Sequence, residues 1–419
     1  MSDLEYWIWF SALRGVSART RRAALEEFGG AKELYLASER ELKRIPGIRA
    51  EEIEKLSEHD EEAPARILRR CEELDIRVLT LQDAAYPARL RNIPDPPAVL
   101  YVRGRLPAVD AECCVAVVGT RSCTPYGEKM ARAIAYGLAQ AGAVTVTGLA
   151  GGIDSRAAEG ALMGGGSVIG VLGVAINDVY PAYNGPLYED VRAHGALVSE
   201  YPPDARGSSG WFPMRNRIMA GLSLAAVVVE APARSGALIT AHRALDYGRD
   251  VFAVPGATDA PKSQGSNNLL REGAVIAENA EDILRFYTGR FPKLVLRKGR
   301  EGPPEERAVP EKTREAEQRK KDAETLEGKV KKGAGFWKMR VPNRKRRGKK
   351  PELGEQLEGL NADQLKIVGV MSRENMHVDD IVDLSRLPAA TVLSELTVLQ
   401  IKGFVSQKPG KRFTLNVTK

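Results

Sequence analysis

Arg121 closes a short series of residues whose types could hold a phosphate. The apolar run Val115-Ala116-Val117-Val118 leads into Gly119-Thr120-Arg121-Ser122 and then Thr124-Pro125. A buried strand that bends on a glycine into a proline-started helix brings backbone N–H groups together. The Thr120, Ser122 and Thr124 hydroxyls and a guanidinium add further donors to that cradle for an anion. A second turn, Gly148-Leu149-Ala150-Gly151-Gly152-Ile153-Asp154, follows the next strand; its glycines permit close approach, and Asp154 is placed to cap a helix over Ser155–Met163. The stretch Trp211-Phe212-Pro213-Met214-Arg215-Asn216-Arg217 joins aromatics to cations, a pairing that suits an unpaired base against Phe212 or Trp211 and a phosphate against Arg215 or Arg217. Another strand-to-helix turn carries Arg234-Ser235-Gly236, and Val254-Pro255-Gly256 and Ser263-Gln264-Gly265 add two more. Five donor-rich turns on one sheet edge exceed what a mononucleotide needs and fit an extended polyanion.

Other chemistries find less support. No Gly-x-Gly-x-x-Gly and no Gly-Lys-Ser/Thr follows the first strand, so the dinucleotide and nucleoside-triphosphate fingerprints are missing. The four cysteines and four histidines show no metal-ligand spacing, and no cofactor or metal is expected. Glu200 and Glu230 each end a strand; they either hold neighbouring arginines or, in a rival reading, serve a nucleotide-processing hydrolase as general acid or base.

The elements that must position these residues follow from periodicity. Residues 1–70 carry apolar positions at helical spacing, interrupted by Leu13-Arg14-Gly15-Val16 and Ile45-Pro46-Gly47-Ile48, the second resembling a helix-hairpin-helix turn. Two strands between Ile76 and Val102 read as an entry segment. Across residues 71–290 Val/Ile/Leu strands alternate with helices, the pattern of an α/β doubly wound, mostly parallel, Rossmann-like sheet with ligands outside the strands' carboxyl ends. Residues 291–354 are charged and poor in apolar groups, reading as a linker, and residues 338–350 contain no acid at all, which would add nonspecific attraction to nucleic acid. Residues 355–419 show three helical periods and two short strands, a winged helix whose third helix has few cations on its exposed face.

Across 419 residues the net charge is +7, from 62 Lys and Arg against 55 Asp and Glu, an excess that favours an anionic partner. The longest apolar runs are far shorter than the ~20 residues of a membrane span, and the acidic start lacks an export signal, so a cytoplasmic protein with no membrane partner is expected.

In order and spacing, Val118-Gly119-Thr120-Arg121, Gly148 to Asp154, Phe212 to Ile218, Ser235-Gly236-Ala237-Leu238-Ile239-Thr240 and Phe252-Ala253-Val254-Pro255-Gly256 resemble the bacterial DNA-processing protein A (DprA, or Smf) family. The resemblance covers Ile76–Tyr287 densely, and the flanking SAM-like or helix-hairpin-helix-like helices and terminal winged helix fit the family's architecture. It implies an extended Rossmann core that binds single-stranded DNA as a homodimer, protects DNA entering during natural transformation and loads the recombinase RecA, with no catalytic residue. It assigns Gly119, Thr120, Arg121 and Ser122 to phosphate, Phe212 to a base, and Arg215 and Arg217 to the backbone's vicinity. Gly148, Gly151, Gly152, Asn216, Ser235 and Gly236 complete the expected contact set. The family usually carries arginine where Gly151 stands and often histidine in place of Ala158, so one phosphate contact is missing here; the basic residues 338–350 are a candidate to compensate.

Overall fold

Strands that are apolar at every position need cover on both faces, and the central strands are buried end to end. The computed structural model describes residues 1–296, 362–371, 376–401, 404–408 and 412–415, which fall into two units, Met1–Glu315 and Ala316–Lys419. The first opens with helices α1 (Asp3–Ala12), α2 (Ala18–Phe28), α3 (Ala31–Leu36), α4 (Glu39–Leu42), α5 (Ala50–Ser57) and α6 (Glu62–Glu73). Strand β1 (Arg77–Thr80), helix α7 (Ala88–Arg91) and strand β2 (Val99–Gly104) follow. The alternating part then runs β3 (Cys114–Val118), α8 (Pro125–Gln140), β4 (Val144–Thr147), α9 (Ile153–Met163), β5 (Val168–Leu172), α10 (Gly185–His194), β6 (Ala196–Ser199), α11 (Trp211–Leu222), β7 (Ala225–Val228), α12 (Gly236–Asp246), β8 (Asp250–Ala253), α13 (Gln264–Arg271), β9 (Val275–Ile276) and α14 (Ala280–Leu284).

All nine strands form one sheet in the order β1-β2-β6-β5-β4-β3-β7-β8-β9. From β3 the chain steps outward to β6, then returns to lay β7 on the other side of β3, with parallel pairing throughout β3 to β9. That return makes the β3/β7 boundary the topological switch point. The turns after β3, β4, β5, β6, β7 and β8 therefore share one edge, as the alternation predicts.

Two features add to the expected layout. The entry segment at 76–102 belongs to the same sheet: β2 pairs antiparallel with β6, Tyr101 opposite Ser199, and β1 pairs antiparallel with β2. Val99 to Val102 are buried on both faces, so adding them to the free side of β6 covers an edge that would otherwise stay open. The N-terminal helices also share a core with the sheet. Trp9, Phe10, Leu34 and Tyr35 join Cys71 of α6 and Val99 and Tyr101 of β2 in one apolar cluster. Within these helices Gly15 and Gly47 take φ of 82° and 74° at the two predicted turns, where a side chain would be strained. Buried Glu52 links the turn regions, accepting from Ser17 N at 2.9 Å, Thr20 Oγ1 at 3.0 Å and Arg49 N at 3.1 Å.

The second unit has helices Ala362–Val370, Val378–Ser385 and Ala389–Ile401 and a three-stranded sheet in which Arg412–Leu415 lies between Met376–His377 and Val405–Lys408. Ile367, Ile381, Val392, Leu396, Leu399 and Phe413 fill its core. Three helices with a small antiparallel sheet make the winged helix that the sequence predicts. The basic residues 338–350 lie outside the described residues.

Candidate nucleic-acid interface

At the end of β3 the chain turns on Gly119, where a Cβ would come within 2.5 Å of Ile153 Cγ1 and 2.8 Å of the Glu230 carbonyl oxygen. Only glycine fits there. Thr120 N donates to Glu230 O at 2.7 Å and Ile153 N to Thr120 O at 3.2 Å, which fixes the loop between the β4 and β7 turns. The next two residues, Arg121 and Ser122, are exposed. The Arg121 guanidinium carbon lies 4.9 Å from the Phe212 ring centroid and 5.7 Å from that of Tyr180. These two rings are 5.0 Å apart at 50°. Among the described residues Arg121 has no ion-pair partner. A cation held over a half-buried Phe212 ring and an exposed Tyr180 ring, with no carboxylate ion-pair partner among the described residues, can take an anion and a flat apolar group together.

Both rings are fixed from below. Phe212, in the first turn of α11, lies across the end of β5, where Gly173 leaves it room: a Cβ there would be 2.7 Å from Phe212 Cδ1. Tyr180 is 43% exposed, and its carbonyl accepts from buried Tyr188 Oη at 2.9 Å. Trp211 stacks on Tyr201 beside this cluster, 3.7 Å apart and 7° from parallel. Sequence reasoning missed Tyr180 and Tyr183, whose signal was the Tyr-Pro-Ala-Tyr stretch in a polar turn after a strand.

Several residues expected to touch a ligand lie one layer deeper. Arg215 is 4% exposed, and its guanidinium donates to Gly148 O at 2.7 Å and to Val171 O. Burial lowers its pKa, opposed by the nearby Asp154 charge. Arg217 is equally enclosed: it grips Glu200 through two bonds of 2.8 and 2.7 Å and reaches Asp95 O at 2.8 Å. Burial pulls its pKa down, but Glu200 more than restores it and the net direction is upward. Asn216 Nδ2 donates to Gly236 O at 3.1 Å. Consecutive helical residues point about 100° apart, and these three side chains end on different neighbours, the turn after β4, the start of α12 and Glu200 with Asp95; together they brace the helix that carries Phe212. Arg215, Asn216 and Arg217, expected near a DNA backbone, are thus each 7% exposed or less, with their side-chain nitrogens donated to protein acceptors.

The glycine turn after β4 is likewise closed by protein. A Cβ at Gly148 would fall on the Arg215 guanidinium, one at Gly151 on the Tyr183 hydroxyl, and Gly152, at φ 77°, faces the Thr120 and Arg121 carbonyls. These glycines let the loops pack on each other. Asp154 is not the cap, since α9 begins at Ile153 after Gly152. Its buried carboxylate instead receives the amides of Gly119 and Ala150; burial pushes its pKa up to about 6 despite the Arg215 charge and those bonds. Asn184 Nδ2 pins the same turn through Leu149 O at 2.9 Å.

Of the two carboxylates at strand ends, Glu200 does hold an arginine. Glu230 does not: it accepts from Thr124 N and Thr124 Oγ1, both at 2.8 Å. Ser235 caps α12, accepting from Ala237 N at 3.3 Å, and Gly236 is exposed with open space where a Cβ would stand.

A doubly wound α/β core shares this chain with a winged helix, and its rim presents on two aromatic rings an arginine that has no ion-pair partner among the described residues, a combination suited to nucleic acid. Residues 77–288 match the family model described as DNA recombination-mediator protein A, and 351–411 match the DprA winged helix domain. Protein Smf of Synechocystis sp. is 33% identical over 416 residues, 98% of each chain. The DNA processing protein DprA of Bacillus subtilis is 38% identical over 218 residues, covering 52% of this chain and 73% of that one. The X-ray structure of DNA processing protein A from Streptococcus pneumoniae superposes with a TM-score of 0.60 at 31% identity, over 68% of this chain and 98% of that one. The chain belongs to the DprA/Smf family of DNA recombination mediators.

Proposed function

We propose that this recombination mediator binds single-stranded DNA along the carboxyl rim of its sheet, with Arg121 on a phosphate and Phe212 and Tyr180 against an unpaired base. The observation that carries the reading is the exposed Arg121 guanidinium 4.9 Å above Phe212 with no carboxylate partner among the described residues. A duplex hides its base faces, whereas a single strand offers them, so ring and cation together favour the unpaired form. Backbone amides, one guanidinium and ring faces read charge and unpaired bases, giving little sequence preference. Ser122, Ser235 and Gly236 extend the rim on either side.

The protein acts by binding, as a homodimer that delivers DNA to the RecA recombinase, in natural transformation or in general recombination. The rival hydrolase reading loses its candidate groups, because Glu200 is bound to Arg217 and Glu230 to Thr124. Among the described residues no helix is long and apolar enough to cross a membrane. The test is competition between single- and double-stranded oligonucleotides of equal length for the full chain and for Phe212→Ala. The expected result is a strong single-strand preference in the parent and an affinity loss worth about 1–3 kcal/mol in the variant. Equal binding of both forms by the parent would refute the reading.

A further inference from the structure

The switch-point crevice between β3 and β7, where open α/β sheets usually seat a nucleotide, is filled by the protein itself. Glu230, the residue two beyond β7, is 2% exposed. Its carboxylate lies at the start of the sixteen-residue helix α8, accepting from Thr124 N and Thr124 Oγ1 at 2.8 Å each. Thr124 caps that helix, its Oγ1 accepting from Gly127 N at 3.1 Å. Gly127 sits where a Cβ would be 2.5 Å from Glu230 Oε2, so the first turn of α8 is open on this side only because it carries no side chain. No lysine or arginine pairs with Glu230 among the described residues. A buried anion is thus held by a backbone N–H, a hydroxyl and the positive end of a helix dipole, the same partners that hold a phosphate in nucleotide-binding relatives of this architecture.

We propose that Glu230 is a specificity-determining residue: its carboxylate holds the phosphate seat of the crevice, so the fold refuses mononucleotides there and leaves only the outer rim, at Arg121, for a polyanionic chain. A phosphate entering the crevice would meet a resident negative charge a few ångströms away, a repulsion strengthened by burial. The exposed Arg121 side chain, by contrast, has no carboxylate ion-pair partner among the described residues and offers a positive charge to a phosphate. Shortening Glu230 would remove both the charge and the obstruction while leaving Thr124 N, Thr124 Oγ1 and the helix dipole in place, which converts the seat into a vacant anion site.

The experiment is titration of the full chain, as parent, Glu230→Ala and Glu230→Gln, with inorganic phosphate and with AMP, by calorimetry and by shift of the unfolding midpoint. Binding of a fluorescent oligonucleotide is measured alongside. The parent is expected to bind neither small anion in the millimolar range, and AMP is expected not to displace the oligonucleotide. Glu230→Ala is expected to gain phosphate and AMP binding by about tenfold or more and to be stabilised by phosphate, with the oligonucleotide affinity kept. Glu230→Gln, which keeps the seat filled, is expected to gain less than Glu230→Ala. Saturable AMP binding by the parent protecting the Thr124 amide from hydrogen exchange would overturn the proposal, and that measurement stands whatever the variants' stability. A folded Glu230→Ala with no gain would overturn it as well. Loss of oligonucleotide binding in the parent would instead refute the single-strand reading and leave the crevice result intact.

Discussion

Arg121→Ala removes one exposed charge without touching the core, and its effect follows from the geometry. A hydrogen bond between a guanidinium and a phosphate contributes roughly 1.5–3 kcal/mol. In the free protein that guanidinium rests on Phe212 at 4.9 Å and Tyr180 at 5.7 Å. An exposed contact of that kind is worth about 0.5–1 kcal/mol, some of which is given up when a base slides onto the ring. The net loss is then about 1–2 kcal/mol, a fall in affinity of roughly five- to thirtyfold. The salt dependence is more diagnostic. Each neutralised phosphate of a single strand contributes about 0.7 to the slope of log K against log salt, so the slope is expected to become shallower by about that amount. Arg121→Lys keeps the charge and the slope but loses the flat stacking face, so it recovers part of the affinity. Fluorescence anisotropy with a labelled oligonucleotide, from low to moderate salt, measures both quantities. An unchanged slope in Arg121→Ala would show that no phosphate sits at this residue.

Arg217→Ala leaves the half-buried Glu200 without its partner and is expected to cost about 3–5 kcal/mol in denaturant unfolding; Glu200→Ala, in which buried Arg217 keeps the Asp95 carboxylate at 3.2 Å, is expected to cost less, and any folded fraction of either keeps the parent's salt slope. For Asp154, whose pKa burial raises to about 6, the native state holds the proton more tightly than the unfolded chain. The group's stabilising contribution is therefore fullest below the ordinary carboxylate range and is lost as pH rises through about 6. Unfolding midpoints compared across this window should show that limb in the parent and not in Asp154→Asn. Truncation to residues 1–296 is expected to retain single-strand binding. The shorter 71–290 segment is expected to unfold more readily in a thermal melt, because it strips Trp9, Phe10 and Tyr35 from the core they share with Tyr101.

The sequence alone determined the architecture. Uninterrupted Val/Ile/Ala runs such as Val115–Val118 and Ala225–Val228 are buried strands because nothing in them tolerates water. The glycine turns after them sit where the alternation of strand and helix requires. Arg121 and Phe212 stood out in the sequence because a cation after a strand-glycine turn and an aromatic before a cation-rich helix suit a phosphate and an unpaired base, and the fold sets the two 4.9 Å apart. Periodicity could not decide which of several arginines faces outward. Arg215 and Arg217 read as polar as Arg121, yet the register of α11 on the sheet turns them toward Gly148, Glu200 and Asp95. Only tertiary packing brings Tyr180, Phe212 and Arg121, separated by dozens of residues in the chain, onto one rim. Only packing sets Glu230 against Thr124 across 106 positions. Local spacing fixes which faces are apolar; which polar groups stay wet depends on what each helix meets when it docks, and that information lies in the contacts between distant segments.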